Sequence, residues 1–244
     1  MITSTVDDRG IAEIVMDNPP VNALPVKGWF DLAAALDAAG ADPAVRAVVL
    51  RAEGRGFNAG VDIKELQAAK DFGALVGVNK GCAAAFAAVY DCPVPVVAAV
   101  QGFCLGGGIG LCGNADIIVA AEDATFGLPE VDRGALGAAT HLSRLVPQHR
   151  MRAMMYTSAT ATAAELHAFG SVLRVVPREE LRAAAFEVAA NIAAKDPNVI
   201  RAAKESLNGI DPWDPKRSYR YEQGFTFELN LTGVADRVRD EFGR

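Results

Sequence analysis

The chain is poor in the residues on which several common chemistries depend. It has four cysteines and three histidines among 244 residues. Cys82, Cys92, Cys104 and Cys112 form no C-x-x-C pair, and no cysteine–histidine cluster has metal-ligand spacing, so a structural zinc site or a redox pair is not expected. Three of the four lie in apolar runs and read as buried, reduced thiols. Basic residues are in deficit. The net charge of −6 leaves no excess of Lys and Arg to neutralise phosphates, which argues against a nucleic-acid or anionic-membrane partner. A phosphate-bearing ligand stays open, since a few local N–H groups suffice for one. The first eight residues have neither a basic start nor an apolar core, and a reduced, cytoplasmic setting is expected. The nearest approach to a membrane span, residues 93–113, is broken by Gln101 and many glycines. There is no low-complexity linker and no internal repeat of convincing period.

What is present is an ordinary globular composition, 51% hydrophobic and 22% charged, enough to bury one sizeable core. Strands are expected at 11–17, closed by Asn18-Pro19-Pro20, then at 45–52, 93–100 and 116–121. The fully apolar run 93–100 suits a strand covered on both faces. Helices are expected at 25–39, with Trp29, Phe30, Leu32, Ala33 and Leu36 at helical spacing, and at 63–69 and 72–90. After Val146 the texture turns helical (149–157, 161–169, 179–194, 198–208 and 218–231), with one further strand at 172–176. Alternation of strand and helix predicts an α/β core followed by a helical appendage.

Two glycine-containing segments stand out: Gly54 to Leu66, and Gly102 to Gly110 with the triplet Gly106-Gly107-Gly108. Each follows an expected strand and leads into an expected helix. The second has no G-x-G-x-x-G in register and no P-loop lysine, so it is not a dinucleotide or nucleotide fingerprint. Either segment alone is equally a tight turn packed on a sheet. Together they provide two helix starts, each with unpaired N–H donors and no side chain to keep a ligand away. Two such donors converging on one oxygen make an oxyanion hole, which chemistry through a thioester enolate requires.

These segments, with Asn18-Pro19-Pro20-Val21-Asn22-Ala23-Leu24, Asp116-Ile117-Ile118-Val119-Ala120 and Phe126-Gly127-Leu128-Pro129-Glu130, resemble the crotonase superfamily of enoyl-CoA hydratases and isomerases from about residue 11 to 242. The resemblance implies stacked ββα units in a spiral, residues 1–195, and a C-terminal helical region, 196–244, packing on a neighbour in a trimer or a dimer of trimers. It implies an acyl-CoA substrate, with coenzyme A as part of that substrate and no other cofactor or metal. It places the oxyanion donors on Val61 and Gly107, and substrate and coenzyme contacts along Ala59, Val61, Asp62, Ile63, Lys64 and Gly106. Lys204 is either a coenzyme-phosphate contact or a solvated helix-face lysine. Family hydratases carry two glutamates; here Glu130 matches one, and Gly110 stands in place of the other. A closer resemblance, over 53–65, 126–147 and 222–231, is to the actinobacterial ring-opening hydrolases of sterol C and D ring breakdown, which act on a bicyclic indane-dione carboxyl-CoA.

Hydration of a double bond is easiest with two carboxylates, one to activate water and one to complete proton transfer, and glycine does neither. Plain hydration is therefore disfavoured and one-base chemistry stays open, and the closer resemblance implies hydrolytic C–C cleavage of the bicyclic substrate, with which the missing glutamate agrees. The alternatives are a 2-enoyl-CoA hydratase or enoyl-CoA isomerase with Glu130 as sole base, and a non-catalytic CoA-binding or scaffold protein. Asp132 is either a second carboxylate pushing a neighbouring pKa upward in a dry pocket or a solvent-facing partner of Arg133. His141 is either catalytic or a satisfied structural histidine. Arg55 and Asn58 are candidates for a polar substrate head, and 72–90, Phe103, His141 and Trp213 for shaping the pocket.

Overall fold

The computed structural model describes residues 1–69, 72–212 and 214–241. In chain order its elements are β1 (Ile2–Val6), β2 (Ile11–Met16), α1 (Val26–Ala41), β3 (Ala47–Ala52), α2 (Ile63–Ala69), α3 (Phe72–Asp91), β4 (Val96–Val100), β5 (Phe103–Leu105), α4 (Gly107–Cys112), β6 (Ile117–Ala121) and β7 (Thr125–Gly127), then a 3₁₀ turn at Glu130–Arg133. There follow α5 (Ala139–Leu142), α6 (Gln148–Thr157), β8 (Thr160–Thr162), α7 (Ala163–Ala168), β9 (Arg174–Val176), α8 (Leu181–Ala193), α9 (Pro197–Ile210), α10 (Pro215–Leu231) and α11 (Val234–Glu241).

A six-stranded sheet runs β1-β2-β3-β4-β6-β9, antiparallel at β1–β2 and parallel elsewhere. Side chains alternate across a strand, so each parallel strand feeds two cores. Val48, Leu50, Val96 and Ala98 face α1 and α3, while Ala47, Val49, Val97 and Ala99 face Leu181, Ala185 and Val188 of α8. That is why 45–52 and 93–100 read as unbroken apolar runs. A second sheet, β5-β7-β8, stands beside the first. β3 with loop 53–60 and α2, β4 with β5 and α4, and β6 with β7 and the 3₁₀ turn make three successive units of one design. Isolated bridges Asn58↔Cys104 and Leu24↔Val61 bind the loops of these units to one another.

Several elements differ from expectation. β1 was not anticipated: its pairing to β2 is clear, but four of its five residues are exposed. Residues 161–169 begin as β8 before α7, because Thr162 caps that helix by accepting from Glu165 N at 3.1 Å. Among the described residues α3, rather than 93–113, is the segment long and apolar enough to cross a membrane by length and composition. Half of its 20 residues are buried, and it packs along α1.

Within the chain, α10 packs against α3 and α5, with Tyr219, Gln223 and Thr226 buried there. Lys204 is neither a phosphate contact nor a solvated lysine. It is 4% exposed and pairs with Asp116 at 2.7 and 2.8 Å, holding α9 to the start of β6.

Candidate active site

The loop after β3 is fixed from within by two asparagines. Asn58, fully buried, donates to Asn22 O at 2.6 Å and accepts from Gly60 N at 2.8 Å. Asn22 in turn donates to the carbonyls of Glu53 and Gly56 at 2.7 and 2.9 Å. Asn58 is therefore a brace for the loop and not a contact for a substrate head, and Arg55 lies exposed on the loop's outer side. Gly60 O accepts from Leu24 N at 2.9 Å, and Asp62 N donates to Leu24 O at 3.0 Å. Alternation along an extended chain then turns the N–H of the intervening Val61 away from Leu24. Asp62 Oδ1 accepts from Lys64 N and Glu65 N and caps α2. Ile63 opens that helix and Lys64 is exposed.

The second loop meets the first back to back. Gly106, at φ +56°, turns β5 into α4, and Gly107 is the first residue of that helix, where an N–H has no intrahelical acceptor. Among the described residues, neither Val61 N–H nor Gly107 N–H has a backbone acceptor. A Cβ at Gly60 would lie 3.1 Å from Gly107 N, and one at Gly107 would lie 2.5 Å from the Trp29 ring. Only glycine permits this approach.

Ala59, Gly60, Val61, Gly106, Gly107 and Glu130 share one cavity of about 130 Å³, with Leu66, Leu75, Val78, Cys82, Phe86 and Leu136 among its apolar walls. A Cβ at Gly106 would come within 2.6 Å of Glu130 Oε1, so this carboxyl rests directly on the glycine loop. Glu130 Oε2 is buried without a partner. Burial pushes the carboxyl up to about 8, against the opposing pull of its own backbone N–H and of Arg133. An acid held neutral until about pH 8 suits a group that takes and returns a proton.

The 3₁₀ turn explains which neighbours share this cavity. It repeats every three residues, so position i stacks on i+3. Glu130 and Arg133 both line the cavity, whereas Asp132 is exposed and does not. The reading of Asp132 as a second carboxylate in a dry pocket is thereby corrected. Gly110 lies where family hydratases have a glutamate, and a Cβ there would sit 2.1 Å from Phe86 Cζ. The Phe86 ring occupies the space a second carboxylate would need.

His141 sits behind the wall. It is 1% exposed, with its ring 5.0 Å from Phe86 and 5.1 Å from Tyr219, and is not among the cavity's lining residues. Neither ring nitrogen has a partner, and burial, with Arg144 adding to it, lowers its pKa to about 3. It is a neutral packing residue without contact to the cavity, so the catalytic reading fails on placement, and it is not satisfied either. Phe103 packs under Gly56, and Trp213 lies outside the described residues.

α10 contributes residues that no motif in the sequence marks as part of the site. Tyr219 and Thr226 line the cavity. Glu222 accepts from Ala139 N, Thr140 N and Thr140 Oγ1 at 3.0, 2.9 and 2.7 Å. Thr226 Oγ1 accepts from Leu136 N at 3.0 Å and donates to Leu136 O at 2.5 Å, and Gln223 donates to Asn79 O at 2.8 Å. The signal was a polar stripe at 219, 222, 223 and 226, spaced as one helix face and not exposed. Among the described residues, no group of three or more His, Cys, Asp or Glu side chains is placed to hold a metal ion.

Comparison with known proteins gives a consistent result. The family model for enoyl-CoA hydratase/isomerase matches residues 7–224. A (7aS)-7a-methyl-1,5-dioxo-2,3,5,6,7,7a-hexahydro-1H-indene-carboxyl-CoA hydrolase of Rhodococcus jostii is 68% identical over 99% of this chain and 93% of its own length. Its namesake in Mycobacterium tuberculosis is 67% identical over 99% and 98%. The crystal structure of an enoyl-CoA hydratase from Mycobacterium smegmatis superposes with a TM-score of 0.81 at 28% identity, over 94% of this chain and 90% of the other.

Proposed function

The chain belongs to the enoyl-CoA hydratase/isomerase family, and from that premise we propose that it hydrolytically opens a ring of a bicyclic indene-dione carboxyl-CoA ester, the substrate for which its 68%-identical relative is named. The observation that carries this reading is the cavity itself. One buried, neutral-leaning carboxyl shares a cavity with Val61 and Gly107, whose amides have no backbone acceptor, and an aromatic ring fills the second carboxylate's place.

The chemistry follows from the substrate's name. The ketone at ring position 1 adjoins the quaternary carbon 7a, and the remaining ring double bond begins one atom further on. Glu130, as carboxylate, takes a proton from water while the hydroxyl adds to this ketone. The tetrahedral oxyanion collapses, and the bond from carbon 1 to carbon 7a breaks. We place the carboxyl-CoA group on that double bond, so that the electron pair passes through it as a dienolate that ends on the thioester oxygen. The N–H groups of Val61 and Gly107 stabilise that oxygen, and losing one such donor typically costs about 3–4 kcal/mol of barrier. Glu130 then returns its proton to a dienolate carbon. One carboxyl serves both steps, which supports hydrolysis over the two-carboxylate hydration of an enoyl-CoA.

Incubation with the bicyclic CoA ester tests this. A product heavier by one water is expected, with crotonyl-CoA left essentially unhydrated. Unchanged bicyclic ester, or crotonyl-CoA as the better substrate, refutes it.

The coenzyme portion runs past Ala59, Val61 and the start of α2 at Asp62, Ile63 and Lys64. The protein works in the cytoplasm, which suits four buried free thiols. It acts as a trimer or a dimer of trimers. Val199, Leu207 and Ile210, 64, 59 and 73% exposed along α9, support such an interface. Light scattering behind size exclusion tests the assembly, and a monomer at micromolar concentration refutes it.

A further inference from the structure

Hydrolytic ring opening makes two oxygens negative in turn. The thioester oxygen gathers charge as the dienolate forms, and the amides of Val61 and Gly107 answer it. The ring-ketone oxygen becomes an oxyanion earlier, when the hydroxyl adds. It belongs to the five-membered ring, whereas the CoA group is placed on the six-membered one. A buried oxyanion without a donor is costly, so this oxygen needs a donor of its own within the cavity.

The neutral side chains on the lining that carry a hydrogen to donate are Asn79, Cys82, Tyr219 and Thr226. Thr226 Oγ1 donates to Leu136 O at 2.5 Å, and Asn79 Nδ2 turns back on its own helix to Leu75 O at 2.9 Å. The thiol of Cys82 is a weak donor. That leaves the phenol of Tyr219.

Two neighbours set the hydroxyl end of Tyr219 at the cavity. A Cβ at Gly137 would meet Tyr219 Cε2, the carbon beside the hydroxyl-bearing one, at 3.9 Å, and Gly137 lines the cavity. The hydroxyl itself is within hydrogen-bonding reach of the Cys82 thiol, also on the lining, and it feels the charge of Glu130. One turn along α10, Gln223 reaches the same hydroxyl and is itself anchored to Asn79 O at 2.8 Å. The ring is clamped by Phe86 and His141, each 5.1 Å away between centroids. The donor is thus held in place before a ligand arrives, as electrostatic stabilisation of a transition state requires. A thiol sulfur is a weak acceptor, so a carbonyl oxygen takes the phenol's hydrogen from Cys82 at little cost. Burial keeps the phenol protonated well above its usual range, so it is a donor at neutral pH.

We propose that Tyr219 is a catalytic residue, whose hydroxyl donates to the ring-ketone oxygen and stabilises the oxyanion formed when water adds. This rests on the ring-opening reading above. In the step, the water oxygen bonds to carbon 1 and its proton goes to Glu130. The carbonyl π pair moves onto the ketone oxygen, which the phenol holds by a hydrogen bond while keeping its own proton. When the bond from carbon 1 to carbon 7a breaks, that pair re-forms the carbonyl of a carboxylic acid, whose proton then passes to solvent. Glu130 returns its proton to the dienolate, and the phenol goes back to the thiol. The same contact makes the site selective for CoA esters that carry a ketone at this position.

The test uses Tyr219→Phe, which keeps the ring and removes only the hydroxyl. Ring-opening kcat should fall about 100-fold, as loss of one oxyanion donor predicts, with KM rising no more than about fivefold. Binding is read by calorimetry in the Glu130→Gln background, where the ester is not consumed. Two ligands are compared there: the bicyclic keto ester, and its analogue with a methylene in place of the ring ketone. Tyr219→Phe should weaken the keto ester about fivefold, as loss of one neutral hydrogen bond predicts, and the methylene analogue less than about twofold. The ratio of the two affinities within one protein cancels any loss of folded material. Equal weakening of both ligands, which a purely structural phenol would give, overturns the proposal, as does an unchanged affinity for the keto ester or a kcat within about threefold of the unaltered protein's. Should the unaltered protein leave the bicyclic ester intact, the ring-opening reading falls by itself. The two-ligand ratio still decides whether Tyr219 meets the ketone.

Discussion

Replacing Glu130 by Gln should abolish catalysis and stabilise the protein in a pH-dependent way. In the unfolded chain this carboxyl titrates at its ordinary 4.5, and in the cavity burial moves it to about 8. Between those values the folded protein keeps a proton that the unfolded chain has lost, so the contribution of Glu130 to stability falls as pH rises. At about 1.4 kcal/mol per pKa unit, the cost is under about 1 kcal/mol at pH 5, about 3 kcal/mol at pH 7 and about 5 kcal/mol from pH 9. Glutamine has nearly the same shape and no charge to bury, so Glu130→Gln escapes this cost. For a chain of this size, about 3 kcal/mol corresponds to a Tm about 6–12 °C higher at pH 7. Urea denaturation of both proteins at pH 5, 7 and 8.5 measures the gap, and subtraction cancels the titration of every other group. The gap should widen with pH. A constant gap, or one that narrows toward alkaline pH, refutes the assignment of Glu130 as a buried, mostly protonated acid at neutrality. The same pKa requires kcat/KM of the unaltered protein to climb with pH until about 8, since the carboxylate form activates water.

Other outcomes follow from single contacts. Gly106→Ala places a methyl 2.6 Å from Glu130 Oε1 at a backbone φ of +56°; turnover should drop at least about 100-fold, read in steady-state kinetics, while unchanged turnover would show that the loop yields. Gly110→Glu alone overpacks against Phe86 and should cost about 1–3 kcal/mol or more in a thermal melt. Combined with Phe86→Ala it opens room for a second carboxylate and should raise crotonyl-CoA hydration above the unaltered protein's level. Lys204→Met strands Asp116 and should destabilise by about 3 kcal/mol in urea melts, because the pair is largely buried. Thr226→Val removes both hydrogen bonds that hold Leu136 and should raise KM more than it lowers kcat; an unaltered KM would show that 134–138 is held without α10.

Much of the framework was legible because it is local or periodic. The unbroken apolar runs at 45–52 and 93–100 announce strands covered on both faces, and two glycine segments after strands announce helix starts open to a ligand. Glu130 was legible only through its motif, since nothing in the composition distinguishes it from other glutamates. What stayed hidden depends on partners remote in sequence. β5 and β7 are three residues each and exist because they pair with one another. Lys204 finds Asp116 across 88 residues, so a lysine on a helix read as a surface lysine. Gly110 announced the loss of a carboxylate, but that Phe86 has moved into its place depends on how α3 lies against α4. The orientation of Asp132 away from the cavity turned on a repeat of 3.0 rather than 3.6 residues, a distinction four residues do not display.

The last long helix carries a consequence for when this site comes into being. By residue 134 the chain already holds both amides and the acid, but the cavity wall at 135–138 is fastened by side chains of α10 more than eighty positions downstream. A nascent chain emerging from the ribosome therefore has its reactive groups in place long before it has a chamber. Clipping within α10 should leave the sheet standing and the chamber open on that side, so that turnover reports the arrival of the last 30 of the chain's 244 residues rather than the folding of its core.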